Sequence, residues 1–438
     1  MINKTIYAKR IQKLFRLMND NSIAVIESAP EKIRNNDSTY RYRQSSNFYY
    51  LTGYDKPSAL LVILKKRKKL ITHFFTKKPN KHDEVWTGSL PSSAKIKNLY
   101  GFDKCDYQDD FEKHLISYLE NIKSIYHSWE DDTVNKLIFN KCLHKLEKRY
   151  RSGIELPSEF LSLKKILHKL RLIKDNSEIE LIRIAGKISS NAHIAMIKKC
   201  KPGLTEKELE AVLLYNFNVN NSSEAYTSIV ASGKNACVLH YIDNSSMLRS
   251  GDLLLTDAAC EYKNYASDIT RTIPINGKYT GDQKLLYNIV LKAQAKAIEA
   301  CVIGNTLQNI HAIAVKVICK GLIDLGLINT SYKQAMDQEL YKKFYMHNTG
   351  HWLGLDVHDP SEYKEDKELV KLKAGMIFTV EPGLYIRAHK SVSKRFHNIG
   401  IRIEDDILVT TKGPEVLTSS VPKSIKEIEN LMSGSSGG

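Results

Sequence analysis

The 438-residue chain is 42% hydrophobic and 26% charged, the composition of a folded water-soluble protein, and its length favours two or three domains over one core. No stretch approaches the roughly 18–20 uninterrupted apolar residues of a spanning helix, so no membrane association is expected. The net charge of +16 raises nucleic-acid binding, but residues 1–172 carry +14 of it and the remainder only +2; a regional excess of this kind predicts no specific nucleic-acid partner.

Along the chain, residues 1–20 are basic with a helical pattern (Ile11, Leu14, Phe15, Met18) and lack the apolar centre of a secretory signal. A cytoplasmic protein is expected, with an organellar presequence as the alternative. Strand-like runs at 22–27, 59–64 and 70–76 alternate with helical patterns at 111–122 and 133–149, which predicts an α/β domain over 1–172. The run Lys65-Lys66-Arg67-Lys68-Lys69 separates two of these strands and reads as a solvated hairpin turn. A loop with Gly153 and Pro157 leads to a basic connector helix predicted over 159–172.

The second domain opens on Asp175 and Glu178, a helix-cap signal before 179–199, and Thr205 with Glu208 repeats it before 209–217. Strand-like runs follow at 226–232, 252–260 and 265–275, then two helices at 282–302 and 306–325, then strands at 376–386 and 400–410. Strands in runs with helices in pairs predict an α+β domain over 173–432. Residues 433–438 read as a tail, a flexible linker or an expression scar. The seven scattered cysteines have no CxxC spacing, which argues against disulfides and thiolate zinc; Cys260 reads as a small buried hydrophobe.

Chemistry gathers in the second domain. A hairpin centred between Tyr262 and Lys263 would set Asp257 directly across from Asp268. Opposed like charges destabilise a sheet unless neutralised. A bound cation does this; protonation of one acid or a shifted register is the alternative. Glu381 ends an apolar run, 376–380, and Glu404 shares a strand face with Arg402, where a plain Arg–Glu pair is the alternative. His347, His351 and His358 fall within twelve residues, and Gly350 and Gly354 argue that this segment is not helical.

The series Asp257, Asp268, His351, Glu381, Glu404 resembles, in order, the five metal ligands of the pita-bread metallopeptidases. The strings His351-Trp-Leu-Gly-Leu-Asp-Val-His358-Asp, Val380-Glu-Pro-Gly-Leu-Tyr385-Ile and Gly400-Ile-Arg-Ile-Glu-Asp-Asp406 are most similar to aminopeptidase P of the bacterial type. So are Tyr42-Arg-Gln-Ser-Ser-Asn-Phe-Tyr-Tyr-Leu-Thr-Gly53 and Glu84-Val-Trp86-Thr-Gly88, which carries the resemblance across nearly the whole chain. The stretch 362–369 departs from the family pattern and is slightly longer.

The resemblance implies a C-terminal pita-bread catalytic domain behind a smaller α/β domain that borders the site and takes part in oligomerisation. It implies two divalent ions, manganese with cobalt or zinc as substitutes, and the four-carboxylate, one-imidazole set suits a hard cation. The activity implied is removal of the first residue from peptides with proline second, by a hydroxide held between the metals. Glu381 is the implied general base, His358 and His240 the substrate-binding and charge-stabilising imidazoles, and Tyr385 and Arg402 links to the ligands. His347, Tyr363 and Arg402 match the proline-pocket positions, and Trp86 matches a residue that reaches a neighbouring subunit, which implies a homodimer or homotetramer. Prolidase, limited to dipeptides, is the near alternative and a non-catalytic pita-bread binding protein the distant one.

Overall fold

The computed structural model describes residues 4–129 and 134–434. The chain divides into two compact units, Met1–Leu170 and Arg171–Gly438.

The N-terminal unit is built on a six-stranded sheet in the order Lys104–Tyr107, Lys69–Thr76, Ala59–Lys66, Ser22–Glu27, Ser124–His127, Glu159–Ser162. The basic run forms the tight hairpin expected of it: Lys66 pairs with Lys69, and Arg67 and Lys68 take the left-handed conformation that a two-residue turn requires. Phe111, Leu115 and Leu119 recur at helical spacing and pack on Val62, Phe75 and Ile125, so the helix Phe111–Leu119 covers one sheet face. The expected connector helix is shorter than the pattern suggested. Glu159–Ser162 is instead the sixth strand, parallel to Ser124–His127, because Trp129 Nε1 donates to Leu161 O (3.0 Å) and Ser124 Oγ to Glu159 Oε2 (2.5 Å). The helix begins only at Leu163.

In the second unit both expected capping boxes form, on Asn176–Lys199 and Glu206–Val219. This helix pair precedes an antiparallel sheet of Ile229–Ser232, Leu253–Asp257 and Thr270–Pro274. A second pair, Gly281–Glu299 and Leu307–Asp324, precedes the sheet Ile377–Val380, Asp405–Thr410, Gly413–Val416 and the ribbon Gly383–Ile386 with Ile399–Arg402. Helix pair followed by antiparallel strands thus occurs twice, the α+β arrangement expected. The last helix, Ile425–Ser433, takes in the start of the expected tail; residues 435–438 lie outside the described residues.

Each half contains a break in its antiparallel pairing, and the breaks matter more than the strands. In the first, Asp257 pairs with Thr270 and pairing resumes at Glu261 with Ala266, so residues 258–260 oppose 267–269 outside the ladder. The expected register is corrected here. The turn lies at Lys263-Asn264, both left-handed, with Tyr262 opposite Tyr265, so Asp257 faces Thr270 and not Asp268. In the second, Val380 pairs with Asp405 and Gly383 with Arg402, leaving residues 381–382 opposite 403–404. The expected continuous strand 376–386 is therefore two strands in two sheets, parted where Pro382 has no N–H to give.

The two ribbons are tied back to back. Glu404 N donates to Thr270 O (3.1 Å), Arg402 N to Thr272 Oγ1 (3.1 Å), and buried Arg271 reaches Glu404 O (2.5 Å) and Asp405 Oδ1 (2.7 Å).

Candidate metal centre

Asp257, Asp268, Glu381 and Glu404 all sit at the two breaks, where the backbone leaves the ladder and the side chains converge. They line one cavity of about 700 Å³ together with Tyr226, His240, His347, His351, His358, Tyr363 and Arg402.

Asp268, His351 and Glu404 present ligand atoms all within 4.8 Å of one another. His351 Nε2 lies 3.4 Å from Asp268 Oδ2 and 3.6 Å from Glu381 Oε1. Its Nδ1 lies 3.1 Å from Trp352 O, an outer hydrogen bond that leaves Nε2 facing the acids, as metal-ligating histidines require. Tyr226 OH lies 2.6 Å from Asp257 Oδ1 and 2.5 Å from Asp268 Oδ1, joining the two aspartates that the register had set apart. Arg402 Nη2 donates to Asp257 Oδ2 (2.6 Å), while Glu404 accepts from Thr270 Oγ1 (2.6 Å). The plain Arg402–Glu404 pair is thus not what the strand makes.

The histidine segment is irregular, as its glycines predicted. It runs flush against the strand Ile377–Val380: Thr379 N donates to His351 O (2.9 Å), Leu353 N to Ile377 O (3.1 Å) and Glu381 N to Thr349 O (2.7 Å). A Cβ on Gly350 would fall 1.9 Å from Thr379 O, so only glycine allows this approach. The far end is anchored by Asp359, buried with Arg171 (2.5 Å) and Lys174 (3.2 Å).

A relay crosses the cavity. Arg402 Nη1 donates to Tyr385 OH (3.0 Å), and Tyr385 OH meets His347 Nε2 at 2.8 Å. His347 Nδ1 is 2.7 Å from Asn348 O and 3.7 Å from Glu381 Oε2. Burial and the Arg402 charge hold His347 down at about 3, so this imidazole is neutral. His358 packs edge-on to His351 at 4.2 Å and is also depressed by burial. Tyr363 lies over Trp352, its ring 5.7 Å away, and borders the exposed hairpin of Lys364–Glu365 with Glu368–Leu369 into which the divergent 362–369 stretch folds.

The acids are strained electrostatically. Burial, opposed by His351 and Arg402, pushes Glu381 up to about 7; burial and then Asp257 raise Asp268; burial and the other three acids drive Glu404 well above the usual range. Against the effect of burial, the bond to Asp268 and the charge of Glu381 lift His351 to about 9. Four converging carboxylates with Arg402 as the paired guanidinium can ionise together only if further positive charge lies among them. A hard, oxygen-rich donor set with one imidazole meets that need with divalent cations.

Trp86 belongs to the N-terminal unit. It lies on the short helix Lys81–Thr87 with 78% of its surface exposed, so the core-tryptophan alternative does not hold. Cys260 is buried behind the site, against Ser189 and Ala185, and is no ligand. Tyr226 and Thr270 were missed by sequence reasoning. Tyr226 opens the expected run 226–232 and Thr270 sits inside the expected run 265–275; the polar start of 226–229 before its apolar continuation was the available signal for the first.

Residues 180–411 match the model of metallopeptidase family M24, and residues 7–126 that of the aminopeptidase P N-terminal domain. The chain belongs to metallopeptidase family M24. Among its relatives, the Xaa-Pro aminopeptidase of Escherichia coli (strain K12) is 37% identical, with 98% of each chain covered. That of Haemophilus influenzae is 38% identical over 97% of this chain and 96% of its own. In solved structures, aminopeptidase PepP of Pseudomonas aeruginosa superposes with a TM-score of 0.97 at 39% identity, covering 100% of this chain and 99% of that one. Both domains of the M24 chain, the pita-bread catalytic domain and the domain before it, are thus those of aminopeptidase P. Among the described residues no helix is long and apolar enough to cross a membrane.

Proposed function

We propose that the chain hydrolyses the bond between the first residue and a following proline in peptides, with Asp257, Asp268, His351, Glu381 and Glu404 holding two divalent cations, manganese in the cell. The observation that carries the ligand assignment is the convergence of four acids and one outward-fixed imidazole at the two ribbon breaks. The bacterial relatives, Xaa-Pro aminopeptidases over their whole length, support this reading over prolidase.

When bound, the cations supply an acidified water and polarise the scissile carbonyl. Glu381, beside His351 and with only a long hydrogen bond from Thr379, takes a proton from the attacking water and returns it to the proline nitrogen as the bond breaks. His358 and His240 donate to the substrate carbonyl oxygen across the cavity, while neutral His347 has its one N–H committed to Asn348 O and lines the proline pocket. Asp257, held by Arg402 and Tyr226, lies where the free amine of the first residue binds. Arg402 and Tyr385 keep His347 in one orientation, and Tyr363 with His347 flanks the proline ring. Proline has no N–H, so the pocket reads ring shape.

Exposed Trp86 and Val85 suit contact with another copy, which supports a homodimer or homotetramer. Seven free cysteines fit a reducing cytoplasm.

The test is kcat/KM on matched tripeptides. Replacing proline with alanine leaves an N–H without an acceptor, at about 1–3 kcal/mol, and removes two or three methylenes of contact at roughly 0.8 kcal/mol each. Xaa-Pro-Yaa should exceed Xaa-Ala-Yaa by about a hundredfold to several thousandfold. A ratio within tenfold would make this a broad aminopeptidase, and hydrolysis confined to the Xaa-Pro dipeptide would make it a prolidase.

A further inference from the structure

We propose that the N-terminal unit carries its own transition-metal site, formed by His73, Asp106 and His114, which takes Zn²⁺. His73 stands on the strand Lys69–Thr76, Asp106 on its parallel neighbour Lys104–Tyr107, and His114 on the helix Phe111–Leu119. Each presents one ligand atom, and the three atoms lie within 4.8 Å of one another. Asp106 Oδ2 is 2.8 Å from His73 Nε2 and 3.4 Å from His114 Nε2, so both rings aim the same nitrogen at one point.

The surroundings hold that aim. The two imidazoles meet edge to face at 4.8 Å, and Phe75 packs 4.0 Å from the His73 ring. Tyr118 OH lies 2.8 Å from His73 Nδ1, the outer hydrogen bond that fixes a zinc-ligating imidazole. His73 is buried (1% exposed), whereas Asp106 (45%) and His114 (31%) leave an entry path and room for a water ligand. Two imidazoles, one carboxylate and an open fourth position form a donor set suited to zinc.

Coordination needs no other reactant. In the zinc-bound form Nε2 of His73 gives its lone pair to the metal and the ring proton resides on Nδ1, donated to Tyr118 O, whose hydroxyl rotates to accept it. The ion would then clip the outer two strands to the helix that covers them.

The experiment is zinc content of the full-length protein, measured by elemental mass spectrometry after dialysis against micromolar free Zn²⁺. The wild type should hold one zinc more than His114→Ala and one more than Asp106→Asn, whatever the catalytic centre contributes, so the outcome is independent of the ligand assignment there. His114 is half-buried within the helix Phe111–Leu119, whose backbone alanine suits, and manganese-supported peptidase activity of that variant should be unchanged. Ring NMR signals of His73 and His114 in the wild type should shift together on zinc addition. Equal zinc in the wild type and either variant, or ring signals that zinc does not move, would overturn the proposal.

Discussion

The two ribbon breaks bring the same formal charge to the cavity and treat it differently. At the first, Asp257 and Asp268 share the Tyr226 hydroxyl, and Asp257 is also paired with Arg402. At the second, Glu404 has the Thr270 hydroxyl and Glu381 has Thr379 Oγ1 at 3.4 Å, with His347 and His351 beyond. Donors and a guanidinium hold the two aspartate carboxylates in place. The sparsely bonded Glu381, which burial raises to about 7 with no metal present, is held by fewer donors and is left freer to exchange a proton. The aspartates hold; Glu381 turns over.

That contrast can be broken most sharply at Glu381. Glu381→Gln keeps the volume and removes the proton acceptor, and kcat should fall by about 10²–10⁴-fold, the range for loss of a general base. A variant with near wild-type turnover would take Glu381 out of this role. Tyr226→Phe on the other side removes a hydrogen bond without removing a proton carrier. Its cost should be near 1 kcal/mol, about five- to tenfold, and should show in the manganese concentration needed for half activity more than in kcat at saturating metal. Equal losses from the two substitutions would erase the distinction between the breaks.

Proton linkage sharpens the comparison further. Glu381 has a folded value (about 7) above its unfolded one, and His351 is likewise raised, to about 9. Between the unfolded and folded values the folded chain binds more protons, so metal-free stability must fall as pH rises, through Glu381 between about 4.5 and 7 and through His351 between about 6.5 and 9. The chelated protein should therefore melt lower at pH 8 than at pH 6, and added Mn²⁺ should raise Tm more at pH 8. Calorimetry at the two pH values checks this; a metal-free Tm that rises over that interval would contradict the charge assignment.

Much of this was legible in the residues because the motifs are local. The five proposed ligands, the three histidines and the irregular course of their loop follow from strings a dozen residues long, and the site side chains named in the second unit line one cavity, except Tyr385, which is bonded to His347 and Arg402. Register was less legible. The hairpin slid by one residue because Lys263-Asn264 take the left-handed turn, with a tyrosine on each side of the pair that suits either centre. Tyr226 and Thr270 escaped for a related reason. Each works on an acid far along the chain, Asp268 or Glu404, and a contact across 42 or 134 residues leaves no spacing to read. Glu159–Ser162 was read as helix because its strand pairing comes from Ser124–His127, again a distant partner.

The central claim is that the two breaks exist to share cations among four acids. Its most direct test is the manganese content of the full-length protein and of Asp268→Asn, by equilibrium dialysis and elemental analysis alongside turnover of an Xaa-Pro-Yaa tripeptide. The wild type should bind two Mn²⁺ per chain and lose activity in chelator, and the variant should bind fewer and turn over correspondingly less. Full turnover by a chain stripped of metal, or two manganese ions retained in Asp268→Asn, would contradict it.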